Sequence, residues 1–162
     1  MTLIIQAIIT LACVCAIALI VNKIEDSKKD YMSFREALAL AELPIVTFNQ
    51  GDKKINMILD TGANNNIIDK KVVESLITSP SSRIGRITGI GGSKEDIPFV
   101  TIEFSYKDKV FKDDFQVTDM SYTFNAIKAA TGVTAHAMIG NSFMQKNKYV
   151  LDFKEMVAYS RK

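Results

Sequence analysis

Thr2 to Val21 reads TLIIQAIITLACVCAIALIV, twenty positions without a charged side chain. No other feature restricts the chain so strongly. A helix of that length spans about 30 Å, the thickness of a bilayer's hydrocarbon core. A small soluble domain has few places to bury a helix that is apolar on every face. Residues 1–22 are therefore expected to form one transmembrane helix. A cleaved leader fits less well, because no basic residue precedes the run and no Ala-x-Ala step comes after it. Lys23, Lys28, Lys29 and Arg35 come after the run. Counting Lys and Arg alone, the domain C-terminal to the run is expected on the cytoplasmic side of a single-pass membrane protein.

The chain has 162 residues, so the remainder has room for one ordinary domain. A net charge of +2, with no dense basic stripe, argues against a nucleic-acid partner. Both cysteines, Cys13 and Cys15, lie in the apolar run, which leaves the domain no disulfide framework and no thiol nucleophile. A single histidine, His136, rules out a histidine-based metal cluster within one chain. No metal and no cofactor are expected.

Residues 23–43 read as a charged linker, over Asn22 to Tyr31, and a short juxtamembrane helix. Ser33 and Glu36 have capping-box spacing, Phe34, Ala37, Leu38 and Ala41 share a helical face, and Pro44 marks the end. From residue 44 onward the texture is that of strands. Ile45–Phe48 and Ile55–Leu59 flank a turn at Gln50-Gly51-Asp52-Lys53. Asp69 is placed to cap a helix reaching Leu76, and Ser79–Ser82 reads as a loop. Arg83–Thr88 and Ile97–Phe104 flank the glycine-rich Gly89-Ile90-Gly91-Gly92-Ser93, with Val100, Ile102 and Phe104 on one face. Val110–Val117 is a further strand, and Tyr122–Ala130 a helix stopped by Gly132. Ala137–Ile139 is a short strand. Asn141 caps a helix through Lys146, and Tyr149–Phe153 and Met156–Tyr159 are closing strands.

The stretch ILDTGANNNIID, from Ile58 to Asp69, ends an apolar run on a carboxylate. Such a placement costs desolvation energy unless something uses the charge. Asp60-Thr61-Gly62-Ala63, then the glycine-rich hairpin, then Met138-Ile139-Gly140 form an ordered trio. The trio resembles the retropepsin-like aspartic proteases, over roughly Leu43 to Lys162. It is also similar to membrane-anchored bacterial members of that clan. The resemblance implies a mainly β, closed-barrel domain over residues 44–162, with short helices. It implies Asp60 as the catalytic residue, with Thr61, Gly62 and Ala63 as the supporting loop. Gly89, Ile90, Gly91 and Gly92 are then the flap, and Met138, Ile139 and Gly140 the segment before the C-terminal helix.

That chemistry needs two carboxylates that share one proton around a water, one acting as base and the other as acid. One chain offers one Asp-Thr-Gly, so a homodimer with facing Asp60 side chains is implied, acting on a peptide or protein substrate. Thr61 would bond across the twofold, and Gly62 would let the backbone approach substrate. In one respect the sequence departs from the family. The acidic residues that commonly come after Asp-Thr-Gly-Ala are replaced by Asn64 and Asn65, and the partner arginine by Asn141. A neutral hydrogen-bonded link is expected there.

Blander readings stand beside these. Asp-Thr-Gly alone is also an Asx-turn, the glycine loop an ordinary hairpin turn, and Asn64–Asn66 a left-handed stretch. A phosphate cradle is disfavoured, because no Lys-Ser/Thr comes after the glycines. His136 is read as structural or exposed. Asp113, Asp114 and Asp119 are read as solvated or in a turn, and Met138, Met144 and Met156 as core. The expected function is an aspartic endopeptidase. The alternative is a non-catalytic peptide-binding or self-associating β module tethered to the membrane.

Overall fold

The alternation of apolar and polar residues after Pro44 closes into a barrel in the computed structural model, which describes residues 14–15, 31–88 and 94–160. The chain divides into two units, Met1–Tyr31 and Met32–Lys162. In the first, Val14 and Cys15 are helical. The rest of the expected transmembrane run lies outside the described residues. Among the described residues no helix is long and apolar enough to cross a membrane.

The second unit is mainly β. Strands β2 (Ile45–Gln50) and β3 (Lys53–Leu59) form a hairpin that turns on Gly51, whose φ of 56° is a left-handed conformation open to glycine at no steric cost. β4 (Asn66–Asp69), β5 (Thr78–Thr88), β6 (Lys94–Tyr106), β7 (Lys109–Thr118) and β8 (Ala137–Ile139) complete the sheet. Its order is β2-β3-β8-β4-β7-β6-β5, and β2 also pairs with β6 at Asn49 and Ser105. The pairing of β2 with β6 closes β2, β3, β8, β4, β7 and β6 into a six-stranded barrel, with β5 laid outside on β6. The β2–β6 pairing covers part of the β2 edge, which would otherwise expose unpaired backbone groups, and leaves β5 as the edge strand of the sheet. A separate sheet, β1-β10-β9, joins β1 (Tyr31–Ser33) to β10 (Val157–Ser160) and β9 (Tyr149–Asp152).

Period-two patterning fills the barrel. Phe48, Ile55, Met57, Ile102, Phe104, Phe111 and Phe115 point inward and are buried. Phe104 packs edge-on against Phe48 at 5.2 Å and stacks on Phe111 at 5.5 Å. Each such ring contributes about 1.5–3 kcal/mol by leaving water. Outside the barrel, α1 (Arg35–Ala41) and α3 (Ser121–Thr131) cover the opposite face, where Ala41, Ile45, Ile58, Phe124 and Ala135 form a second cluster. Gly132 ends α3 at φ 76°, as its position predicts.

Several local expectations are corrected. Ser33 does not cap α1. It ends β1, Phe34 takes the cap position with no side-chain bond of its own, and the Ser33 hydroxyl accepts only a long bond from Arg35 N at 3.4 Å. The linker assigned through Tyr31 ends in that strand, because Met32 is apolar enough to be drawn into the core at 1% exposure. The helix capped by Asp69, α2 (Lys70–Val73), stops short of Leu76. Ser79–Ser82 is not a loop but the irregular stretch of β5, where the pairing shifts between Pro80 and Ile84. Helix α4 (Asn141–Lys146) is capped by Gly140, one residue earlier than expected, with Asn141 already in the first turn.

Candidate active site

β8 lies between β3 and β4, parallel to the first and antiparallel to the second. Parallel neighbours leave the sheet at the same end. The turn after β3, which holds Asp60, therefore meets the turn after β8, which holds Gly140. Backbone bonds join them. Asp60 N donates to Ile139 O at 2.9 Å, Asn141 N to Ala63 O at 2.7 Å, and Ser142 N to Asn64 O at 3.1 Å. Met138, in the middle of β8, is in register with Ile58 on one side and Ile67 on the other. Sequence positions nearly eighty residues apart become one loop pair.

Gly140 makes that contact sterically feasible. A Cβ there would collide with the carbonyl oxygen of Asn65 and lie 3.0 Å from that of Ala63. Both obstacles are backbone, so a side chain could fit only by moving the loop.

Asp60 is half-buried. Its Oδ1 accepts from Gly62 N at 2.8 Å, which fixes the carboxylate's orientation through its own loop. Its second oxygen has no partner among the described residues. Thr61 and Gly62 are exposed, and Ala63 is half-buried. Thr61 also borders a cleft of about 420 Å³ walled by Met144, Tyr149, Leu151 and Phe153. The four glycine-loop positions, Gly89, Ile90, Gly91 and Gly92, lie outside the described residues.

The neutral link expected between Asn64 or Asn65 and Asn141 is corrected: among the described residues no side-chain bond joins them, and a different asparagine connects the loops. Asn66, 1% exposed, is the side chain that bridges the two loops. Its Oδ1 accepts from Gly140 N at 3.0 Å, and its Nδ2 donates to Asp114 O at 3.1 Å. Alternation in Asn66-Ile67-Ile68 puts Asn66 on the inward face with Ile68, so a buried amide in need of partners was readable there. The Asn65 side chain faces elsewhere and accepts from Arg83 Nη2 at 3.2 Å. Nothing local in the sequence links Arg83 to this loop.

Asp113 and Asp114 are not simply solvated. Asp114 Oδ1 accepts from Thr101 Oγ1 at 2.6 Å, and Asp113 pairs with Lys146 at 3.2 Å. Asp119 is the exposed member, paired with Lys70 at 2.7 Å. His136 is structural. Its Nδ1 accepts from Asn56 N at 2.9 Å, and the His136 backbone N–H donates to Asn56 O at 2.9 Å, which extends the β3–β8 ladder by one position. Burial holds the imidazole below its ordinary value of 6.5, in keeping with a neutral ring that accepts a backbone N–H. Among the described residues no cluster of His, Cys, Asp or Glu could hold a metal ion.

No curated protein matches the chain in sequence. Among solved structures it is similar to the retroviral protease-like domain of Ddi1 from Leishmania major, at 14% identity over 69% of this chain and 82% of that one, with a TM-score of 0.48. It is also similar to the EIAV protease complexed with the inhibitor HBY-793, at 17% identity over 64% and 86%, with a TM-score of 0.43. A family model described as aspartyl protease matches residues 45–143, from the first barrel strand through both loops of the site. With Asp60 set at the meeting point of those loops, the chain belongs to the aspartyl protease family.

Proposed function

We propose that this protein is a retropepsin-like aspartic endopeptidase, active as a homodimer in which the two Asp60 carboxylates share one proton around the attacking water. The observation that carries the reading is the state of Asp60. One oxygen is oriented by Gly62, the other has no partner among the described residues, and backbone bonds to Ile139, Asn141 and Ser142 bolt the loop to the segment around Gly140. The carboxylate is thus held in place yet still available to a reaction.

One chain supplies one such group, and general acid and base roles need two. The exposure of Thr61 and Gly62 supports a second copy arriving on this face. So does the mainly apolar cleft beside Thr61, which a partner chain would cover. Thr61, whose side chain has no hydrogen-bond partner among the described residues, would bond across the twofold. A peptide substrate would lie over the paired loops, and hydrolysis would pass through a water activated by the ionised member of the dyad. Anchoring by Thr2–Val21, with the domain on the cytoplasmic side, rests on the apolar run and on the basic residues after it. Anchoring would raise the local concentration of both copies.

Cleavage of a peptide library by the purified full chain tests the reading. Activity per molecule should rise with protein concentration until dimers saturate, and should fall in alkali once the shared proton is lost. Binding of peptides without any cleavage would point instead to the non-catalytic module.

A further inference from the structure

Arg83 sits in an irregular place for a reason that the fold alone does not require. On β5 three residues, Ser81, Ser82 and Arg83, stand between the pairs Pro80↔Val100 and Ile84↔Pro98, opposite only Phe99 on β6. Such bulges re-aim a side chain. Here the backbone N–H of Arg83 donates to Ser81 Oγ at 3.1 Å, and its guanidinium lies over the Phe99 ring at 4.8 Å. Gly85 makes room for that ring, since a Cβ at Gly85 would lie 2.5 Å from a Phe99 ring carbon. The flat cation is therefore held in one plane.

From that plane it reaches two partners. Nη2 donates to Asn65 Oδ1 at 3.2 Å, and Nη1 lies 4.0 Å from Asp114 Oδ2. Asp114 is fixed by Thr101, and its backbone carbonyl receives Asn66 Nδ2. Asn65 itself presses its carbonyl against Gly140. The loop carrying Asp60 is thus gripped twice, by Asn66 from beneath and by Arg83 from the side. The Arg83 side chain is 49% exposed, and an exposed contact of this kind adds little to global stability. Its effect must fall on geometry.

We propose that Arg83 is a positioning residue for the reaction: through Asn65 it holds the Asp60 loop against the β5–β7 wall. This rests on the reading that Asp60 performs the chemistry. Small misplacements of a catalytic group cost up to about a hundredfold in rate.

The test uses the full chain with Arg83→Ala, Arg83→Lys, Asn65→Ala and the Arg83→Ala/Asn65→Ala double variant. Three readouts are taken: kcat and KM on a cleaved peptide, the melting temperature, and hydrogen exchange over residues 137–147. The expected result is a fall in kcat of about tenfold or more with KM little changed. It should be alike in both alanine variants and no larger in the double. The melting temperature should hold, while the amides of Asn141 and Ser142, which donate to the loop, exchange faster. Lysine should restore only part, since it cannot lie flat on Phe99 and reach both partners. Unchanged kcat and unchanged exchange in Arg83→Ala would overturn the proposal, as would fully additive losses. So would a loss in KM alone confined to acidic peptides, which would make Arg83 a substrate contact. If the wild-type chain cleaves nothing, the endopeptidase reading fails, and the exchange data alone still decide whether Arg83 positions the loop.

Discussion

Two aspartates bracket the same short segment and end up in opposite conditions. Asp60 comes directly after β3 and Asp69 ends β4, with the Thr61–Asn65 turn between them. Asp69 is 4% exposed, and both of its oxygens are taken: Oδ1 by Lys71 N at 2.9 Å and Oδ2 by Met120 N at 2.8 Å. It ties the start of α2 to the segment before α3 and has nothing left to offer a substrate. Asp60 is more open, and only one of its oxygens is bonded among the described residues. A fully satisfied carboxylate is structure, and a half-satisfied one held in a rigid turn is ready for chemistry. Both come after apolar residues, so the pattern around them is alike. Only the third dimension separates them.

Substitution should break this pair in opposite ways. Asp60→Asn is expected to lower kcat by at least about a hundredfold, the lower range for losing a general acid–base group. Its urea midpoint should stay close to wild type, because the surroundings of Asp60 are open and its one backbone bond survives in asparagine. A large shift in that midpoint would erase the contrast with Asp69.

Gly140→Ala tests the surface on which the comparison depends. Its new methyl meets the Asn65 carbonyl, so the two loops must separate. A stability loss of about 3 kcal/mol, the upper part of the usual range for overpacking, is expected by chemical denaturation. A variant as stable as wild type would mean that the loops are looser than described.

Asp69→Asn should cost about 1–3 kcal/mol, because its two backbone donors address different oxygens and in asparagine one of them faces an amide NH2 instead of an acceptor. Its kcat, measured well below the unfolding transition, should match wild type. A selective loss of kcat would move Asp69 into the active machinery.

The smallest effect concerns His136 and pH. The folded protein holds this ring below its ordinary value of 6.5, so below that pH the unfolded chain binds more protons. The stability contribution is fully present above 6.5 and declines as pH falls through the interval beneath it. Protonation also sets an N–H against the Asn56 N–H that Nδ1 now accepts. In His136→Gln the part of the acid-side slope due to this group should vanish. An identical slope in both proteins would assign it elsewhere.

Much of the barrel is legible in the sequence because its strands keep period two: Val100, Ile102 and Phe104 fall on one face, as spaced. Gly132 and Asp69 are readable as helix punctuation because their signals are local. The juxtaposition of Asp60 with Gly140 comes only through the family resemblance, since nothing in either segment specifies that β8 runs between β3 and β4. Asn66 hides as one of three asparagines, although the alternation with Ile68 marks it as inward. Arg83 is hidden by the bulge. Ser-Pro-Ser-Ser reads locally as a loop, and only pairing with β6 keeps it in the sheet and turns the arginine toward Asn65. Contacts set by register and tertiary closure leave little trace in neighbouring residues.

Under the proposed chemistry, two copies of Asp60 make one site. The decisive comparison uses a covalently linked dimer with one wild-type half and one Asp60→Asn half, beside linked dimers carrying two wild-type or two Asp60→Asn halves. The mixed dimer should cleave peptide no faster than the doubly substituted one, because a single carboxylate cannot serve as both acid and base. A mixed dimer that retains half or more of the doubly wild-type rate would contradict the shared dyad and would make each Asp60 an independent site.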